Sequence, residues 1–269
     1  MASRTVVPGA RHWPLAALLL ASVLWGGAIT GTKYALRAFD PVTLLGVGLA
    51  AATAALWAVL LIRDYRPPPS WPAAVLLGLL EPALVVILAA LVLGEAISRA
   101  GIVAVVACLA GLVVLTGGGG RSTAVGDLCI VGGVLSASLY SVLAKRFADD
   151  SDALSLTTWQ FTAATAVALA VATARWAGHP DRLPIAVVPR YWLAASALGV
   201  GGFALSFLIY NKVISAVSVG WAAIVLNLMP AFGLLSSMVF LGEEPTRGGT
   251  IGACLIGGST DPRRVRARN

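Results

Sequence analysis

The sequence predicts an all-α membrane protein, a polytopic helical bundle of about nine hydrophobic segments. Three observations carry that prediction. The chain is 58% hydrophobic and only 12% charged, with mean hydropathy +0.88, far from the mix of a soluble domain. Uncharged apolar runs of about 18 residues or more, long enough to cross a bilayer, recur along it. Stretches of the front half also reappear in the rear half. Self-similarity at a fixed offset marks a repeat architecture, and paired repeats in a hydrophobic chain point to a membrane transporter.

The first run, 14–32, follows Arg4 and Arg11 as a signal peptide would. Its apolar stretch continues through Trp25 to Thr32 and more spans follow, so it reads as an uncleaved first helix. Runs at 41–62, 67–94, 100–120, 128–144, 153–174, 191–211 and 213–242 read as the next spans. A ninth, 248–260, has about 13 residues, too few to cross alone. Helix is the only spanning form open to these runs, because a backbone group left unpaired in lipid costs several kcal/mol. Runs such as Ala50–Ala55 and Ile102–Ala107 lack the alternating polarity of a strand barrel. Trp13, Tyr65, Trp71, Trp176, Tyr191 and Trp192 fall at predicted span ends, where amphipathic rings settle at the interface.

The repeat has an irregular offset. Trp71, Ala73, Ala74, Leu77 and Gly78 recur as Trp192, Ala194, Ala195, Leu198 and Gly199, an offset of 121. Pro82, Leu93, Gly94 and Glu95 recur as Pro230, Leu241, Gly242 and Glu243 at offset 148. Lys33 and Lys145 stand 112 apart, as do Asp40 and Asp152. The rise from 121 to 148 means that the first copy is short by 27 residues, about one helix. Segment 67–94 then reads as one kinked span, since a proline inside a helix removes a hydrogen bond. Basic residues favour the cytoplasmic side, and they agree with the ancestral count. Ten spans would place 12 Lys and Arg inside and 7 outside, whereas nine crossings give 9 and 10. Residues 1–120 are therefore expected to form an incomplete first repeat of four helices. Residues 121–269 form a second of five, the last short and followed by a basic tail.

A net charge of +7 and a pI near 9.8 would suggest nucleic acid in a soluble protein. Here Lys and Arg sit mainly in tails and links, where they fix membrane orientation, so no nucleic-acid partner is expected. Arg263, Arg264, Arg266 and Arg268 of the tail suit anionic lipid heads. Cys108, Cys129 and Cys254 lie in apolar runs and read as small buried hydrophobes, without metal or disulfide spacing. Gly117 to Gly120, followed by Arg121-Ser122-Thr123, lacks both the lysine and the preceding strand of a phosphate loop. Neither His12 nor His179 belongs to a ligand or triad pattern. No catalytic residue, metal or cofactor is expected, and the chain does not read as an enzyme.

Several motifs occur in duplicated order. Trp25-Gly26 stands in the first span; Glu81-Pro82 precedes Leu91-Val92-Leu93-Gly94-Glu95, and Met229-Pro230 precedes Phe240-Leu241-Gly242-Glu243. Together they resemble the EamA-type transporters of the drug/metabolite transporter superfamily, over nearly the whole chain. The resemblance implies two inverted five-helix repeats and a multi-pass protein of a bacterial inner membrane. It also implies export of a small metabolite, an amino acid or a drug-like molecule, by alternating access through a central cavity. The partners are then the substrate and the lipid bilayer, and a homodimer is among the assemblies allowed. The chain departs from the family in the missing third helix and in a last helix that stops at Ser259-Thr260. A second reading therefore stands beside the first: a non-transporting membrane polypeptide, or a helix-packing partner, derived from such a transporter.

Glu81 is the only acidic residue inside a long apolar run, where a charge costs about 2.5–3.5 kcal/mol on insertion scales. It reads either as a proton or substrate site, or as a helix-end residue stranded by the junction. Glu95 and Glu243 read as structural, capping the positive end of the next helix, and Pro82 and Pro230 as kinks. Trp25, Tyr140, Trp221 and Asn227 are the leading candidates for a cavity that offers apolar faces and a few hydrogen-bonding groups. Trp159, Gln160, Tyr210 and Asn211 belong to the same set. Helix packing is the alternative for each. Lys33 and Lys145 read as span-end anchors whose stems reach toward the headgroups.

Overall fold

Each membrane-length span begins where the sequence supplies a cap or a proline. Helix α1 spans Trp13–Ala35 and α2 spans Pro41–Ile62. Asp40 accepts hydrogen bonds from the N–H groups of Val42 (3.1 Å) and Thr43 (3.4 Å), and Pro41 fills the first helical position, where its missing N–H is no loss. Helix α3 spans Ala153–Gly178 and starts the same way, Asp152 accepting from the Ser155 N–H at 3.1 Å. The next span runs from Pro189 to Ile214. It contains α4 (Pro189–Ala197), a widened π-helical stretch Leu198–Leu205 and α5 (Ser206–Ile214). The last comprises α6 (Val219–Leu226), opened by a Ser218 cap, and α7 (Met229–Leu241). The computed structural model describes residues 13–63, 141, 143–145, 152–178, 180 and 183–245. Among these no strand occurs, and five helical segments are long and apolar enough to cross a membrane.

The helix boundaries test the sequence reading element by element. The run 41–62 coincides with α2. The run 213–242 starts too early: residues after Ile214 turn, and the helix resumes at Val219, where the Ser218 hydroxyl accepts from the Trp221 N–H at 3.2 Å. Pro230 does not kink a continuous helix. The span is already interrupted at Asn227 and Leu228, and Pro230 lies in the first turn of α7, where proline is tolerated. The runs 67–94, 100–120 and 248–260 lie outside the described residues.

The spans alternate in direction. The Trp176 indole at the end of α3 donates to Thr43 at the start of α2 (3.1 Å), Thr53 meets Thr165 (2.7 Å), and the Trp57 indole donates to Thr162 (2.9 Å). As the α2 number rises the α3 number falls, so these helices are antiparallel. Along α1 and the α6–α7 span the numbers rise together. Ser22 donates to the Val225 carbonyl (3.3 Å), Thr30 meets Ser237 (3.0 Å) and Lys33 meets Glu243 (2.6 Å). These two are parallel. One face of the bundle thus gathers the ends of α1, α3 and α7 with the starts of α2 and α4.

Backbone proximity sets the packing. A Cβ on Gly26 would stand 2.6 Å from the Phe232 Cβ, 2.8 Å from the Gly233 nitrogen and 2.8 Å from the Met229 oxygen. Gly199, in the π stretch, lies so close to Gly48 that a side chain there would strike its carbonyl. Small residues let helices approach in this way, and hydrocarbon supplies no apolar force to do it for them. Beside an apolar core, large apolar side chains also face outward and small polar ones are buried. Ile62 (86%) and Phe240 (77%) are exposed, whereas Ser22, Thr157, Asn211 and Ser237 are buried.

Two predictions follow from this packing. Gly26→Ala forces backbone to shift and should cost about 1–3 kcal/mol. Gly27→Ala, whose Cβ would meet nothing within 4 Å, should leave the thermal midpoint in detergent unchanged. The Asp40 carboxyl is raised by burial, but hydrogen bonds from Thr43 and Val42 and the nearby Arg175 charge together hold it below its ordinary value. Because the folded value is the lower one, its bonds stabilise the fold above the ordinary carboxylate range. That stability is lost as pH falls through the depressed value. Asp40→Asn keeps a capping oxygen without titrating. The wild-type midpoint should therefore drop relative to this variant below about pH 4 and run parallel to it at neutral pH.

Candidate functional site

Where α1, α3, α5 and α6 converge, an aromatic cluster adjoins a small group of polar side chains. Trp25 packs edge-on against Phe207, ring centroids 5.0 Å apart, and lies 5.8 Å from the Tyr210 ring. Trp221 and Trp159 border the same buried cluster, which includes Leu18, Leu156, Tyr210 and Ile214. Beside it the Asn211 amide nitrogen donates to the Thr157 hydroxyl (2.9 Å) and to the Gln160 carbonyl oxygen (3.1 Å). Tyr210 shares a hydrogen bond with Ser141. Asn211, Gln160 and Thr157 are all buried. An interhelical hydrogen bond in a membrane is worth on average about 0.6 kcal/mol; removing one partner and stranding the others costs about 1–3 kcal/mol. The amide cluster therefore fixes how α3 meets α5 more than it adds net stability.

The structure brings together Trp25 and Trp221 of the four leading cavity residues. Asn227 sits at the break between α6 and α7, its N–H bonded to the Ala223 carbonyl at 3.0 Å. Tyr140, Glu81, Pro82 and Glu95 lie outside the described residues. A cavity of about 440 Å³ opens elsewhere, at the face that holds the end of α1. It is lined by Phe39, Asp40, Thr43, Val187, Val188 and Tyr191 among others.

Lys33 and Glu243 meet in a contact that the sequence reading did not include, and the helix that Glu243 is expected to cap lies outside the described residues. At the end of α1 the Lys33 ammonium meets the Glu243 carboxylate at 2.6 Å and the Ser237 hydroxyl at 3.5 Å. Glu243 is thus tied to α1, and the motif before it has a clear geometry. Gly242 adopts φ +67° and turns the chain out of α7, so that the Glu243 N–H returns to the Ser237 carbonyl. Both ion-pair side chains are nearly half exposed, at 48% and 43%, and such a pair contributes about 0–1 kcal/mol. Beneath it Thr30 bonds with Ser236, Ser237 and the Gly233 carbonyl. Sequence reasoning missed Thr30, Ser141, Thr157 and Ser237. A hydroxyl in a span carries no signal of its own, because it can bond within its helix, as Thr157 does to the Ala153 carbonyl.

Comparison with known proteins adds the ancestry. The EamA-like transporter family is matched over residues 12–81 and 124–260. A crystal structure of a protein is similar with a TM-score of 0.72 and 23% identity, over 96% of this chain and 99% of that one, a likeness of fold. No curated protein matches. With two matched segments that cover most of its residues, an all-helical bundle and apolar spans, this multi-pass membrane protein belongs to the EamA-like transporter family.

Proposed function

We propose that the chain exports a small metabolite, an amino acid or drug-like molecule, by alternating access between two inverted repeats, residues 1–120 and 121–269, in a bacterial inner membrane. The observation that carries this reading is the Thr53–Thr165 hydrogen bond. Its partners are 112 residues apart, the same offset that relates Lys33 to Lys145 and Asp40 to Asp152. A residue touches its own repeat mate only where a two-fold axis passes between them. The mates α2 and α3 pack antiparallel there, as an axis in the membrane plane requires of inverted repeats. This direction also favours the ten-span orientation over nine simple crossings, since α2 then ends on the face where α3 begins. Trp25, Trp221, Asn227 and Tyr140 would line the cavity, and Glu81 is the one residue suited to carry a proton. A homodimer is compatible with the lipid-facing surface.

A second reading, a non-transporting descendant, is favoured by the 27-residue deficit in the first copy. Two measurements decide. A reporter fused after Arg146 should give a cytoplasmic signal, and a signal from the opposite side would defeat the inverted arrangement. Cells that express the chain should export a radiolabelled amino-acid mixture or ethidium faster than cells without it, and Glu81→Gln should abolish that export if Glu81 couples protons. If the chain is silent and a copy of Val200–Asn227 inserted between Leu80 and Glu81 confers export, the second reading holds.

A further inference from the structure

The α1–α7 seam is built of two unlike halves. Near its middle, Gly26 and Gly233 bring backbone against backbone, with the Phe232 and Ile29 side chains packed tightly beside them. Toward the Lys33 face the contacts become polar and exchangeable. Thr30 (5% exposed) and Ser237 (1% exposed) bond to each other, and Lys33 and Glu243 close the end above them. Separating the glycine contact would leave voids, whereas separating the hydroxyls and the ion pair would only exchange their partners for water. Glu243 also hangs from the left-handed turn at Gly242 rather than from α7 itself, so it can swing away from Lys33 without unwinding the helix.

We propose that Lys33 and Glu243 are a latch that shuts the α1–α7 seam at one membrane face, with Gly26–Gly233 as its fulcrum. The latch rests on the alternating-access reading, in which each face must open in turn. Its place follows from symmetry. The Thr53–Thr165 contact lies on the proposed axis and moves least when one repeat rocks against the other. The Lys33–Glu243 pair joins residues 210 apart, lies off that axis and must part. The two residues act on transport through helix position and touch no substrate in this scheme.

The test uses the full chain with Cys108, Cys129 and Cys254 replaced by serine and Ser237→Cys as a buried reporter. Labelling by a membrane-impermeant maleimide reads whether the seam is open and needs no substrate. Adding Lys33→Gln or Glu243→Gln should speed labelling about two- to fivefold, the factor an exposed ion pair supplies. The swap K33E/E243K should return it to the starting rate. Thr30→Cys, read the same way, replaces the reporter if Ser237→Cys fails to fold. Unchanged labelling in the single variants overturns the latch, and so does an increase that the swap does not reverse. A short bis-maleimide joining Lys33→Cys to Glu243→Cys should stop export of the labelled amino-acid mixture, whereas the same link from Thr53→Cys to Thr165→Cys should leave it running. Export that continues through the first link overturns the latch and leaves the transporter reading intact. A wild-type chain that exports nothing counts against that reading, while labelling still decides the latch.

Discussion

In hydrocarbon no apolar force draws one helix to another, because the lipid tails are as apolar as leucine. This bundle must therefore hold itself together by close backbone approach and by hydroxyl and amide bonds. The consequences run through every seam. Gly26 meets Gly233, and Gly48 meets Gly199. Where side chains keep the backbones apart, a hydrogen bond spans the gap, as from Trp57 to Thr162 or from Asn211 to Thr157. Large apolar side chains pack inside, as Leu18, Leu156 and Ile214 do, and also face outward, with Val239 76% and Leu193 73% exposed.

The same constraint explains where the helices can be irregular. Backbone that leaves the regular ladder at membrane depth must find its partners in protein. The π stretch Leu198–Leu205 lies against α1 and α2 through Gly202 and Gly199, and the Ser206 hydroxyl bonds the Gly201 carbonyl within it at 3.0 Å. The break at Asn227–Leu228 falls where α6 passes to α7 along α1, and backbone N–H groups there still find carbonyls three or four residues back. Interruptions of this kind collect at functional sites, and both lie in spans packed against the Trp25 helix.

Much of this could be read in the sequence, and the limits have physical causes. The uncharged run 41–62 set α2 to the residue, because Asp40 caps it and Arg63 closes it. Asp40 and Asp152, which share the 112-residue offset, both cap a helix start, a role the offset alone did not reveal. The π stretch left no trace, since a run of apolar residues in lipid satisfies either helix period equally well. Pro230 reads as a kink for a related reason: inside a long apolar run nothing marks the turn at Asn227, which makes it a fresh start instead. The ion pair was invisible because Lys33 and Glu243 lie at opposite ends of the chain and meet only through the packing of α1 on α7.

The repeat reading gives the short first copy a specific consequence. In the proposed inverted repeat, a contact on the two-fold axis exists once, whereas a contact off the axis has a mate wherever both copies keep its residues. The axial α2–α3 seam joins a front helix to a rear helix, and so does the α1–α7 seam; neither uses the stretch that the front half lacks. By the offsets of 121 and 148, that stretch is the mate of the residues between Gly199 and Pro230, which include most of the π stretch that lies against α1 and α2. The deficit therefore spares the axis and the latch, and it falls on one of two matching walls. Under the proposed alternating access, a bundle that keeps its pivot and loses part of one wall retains the means to rock.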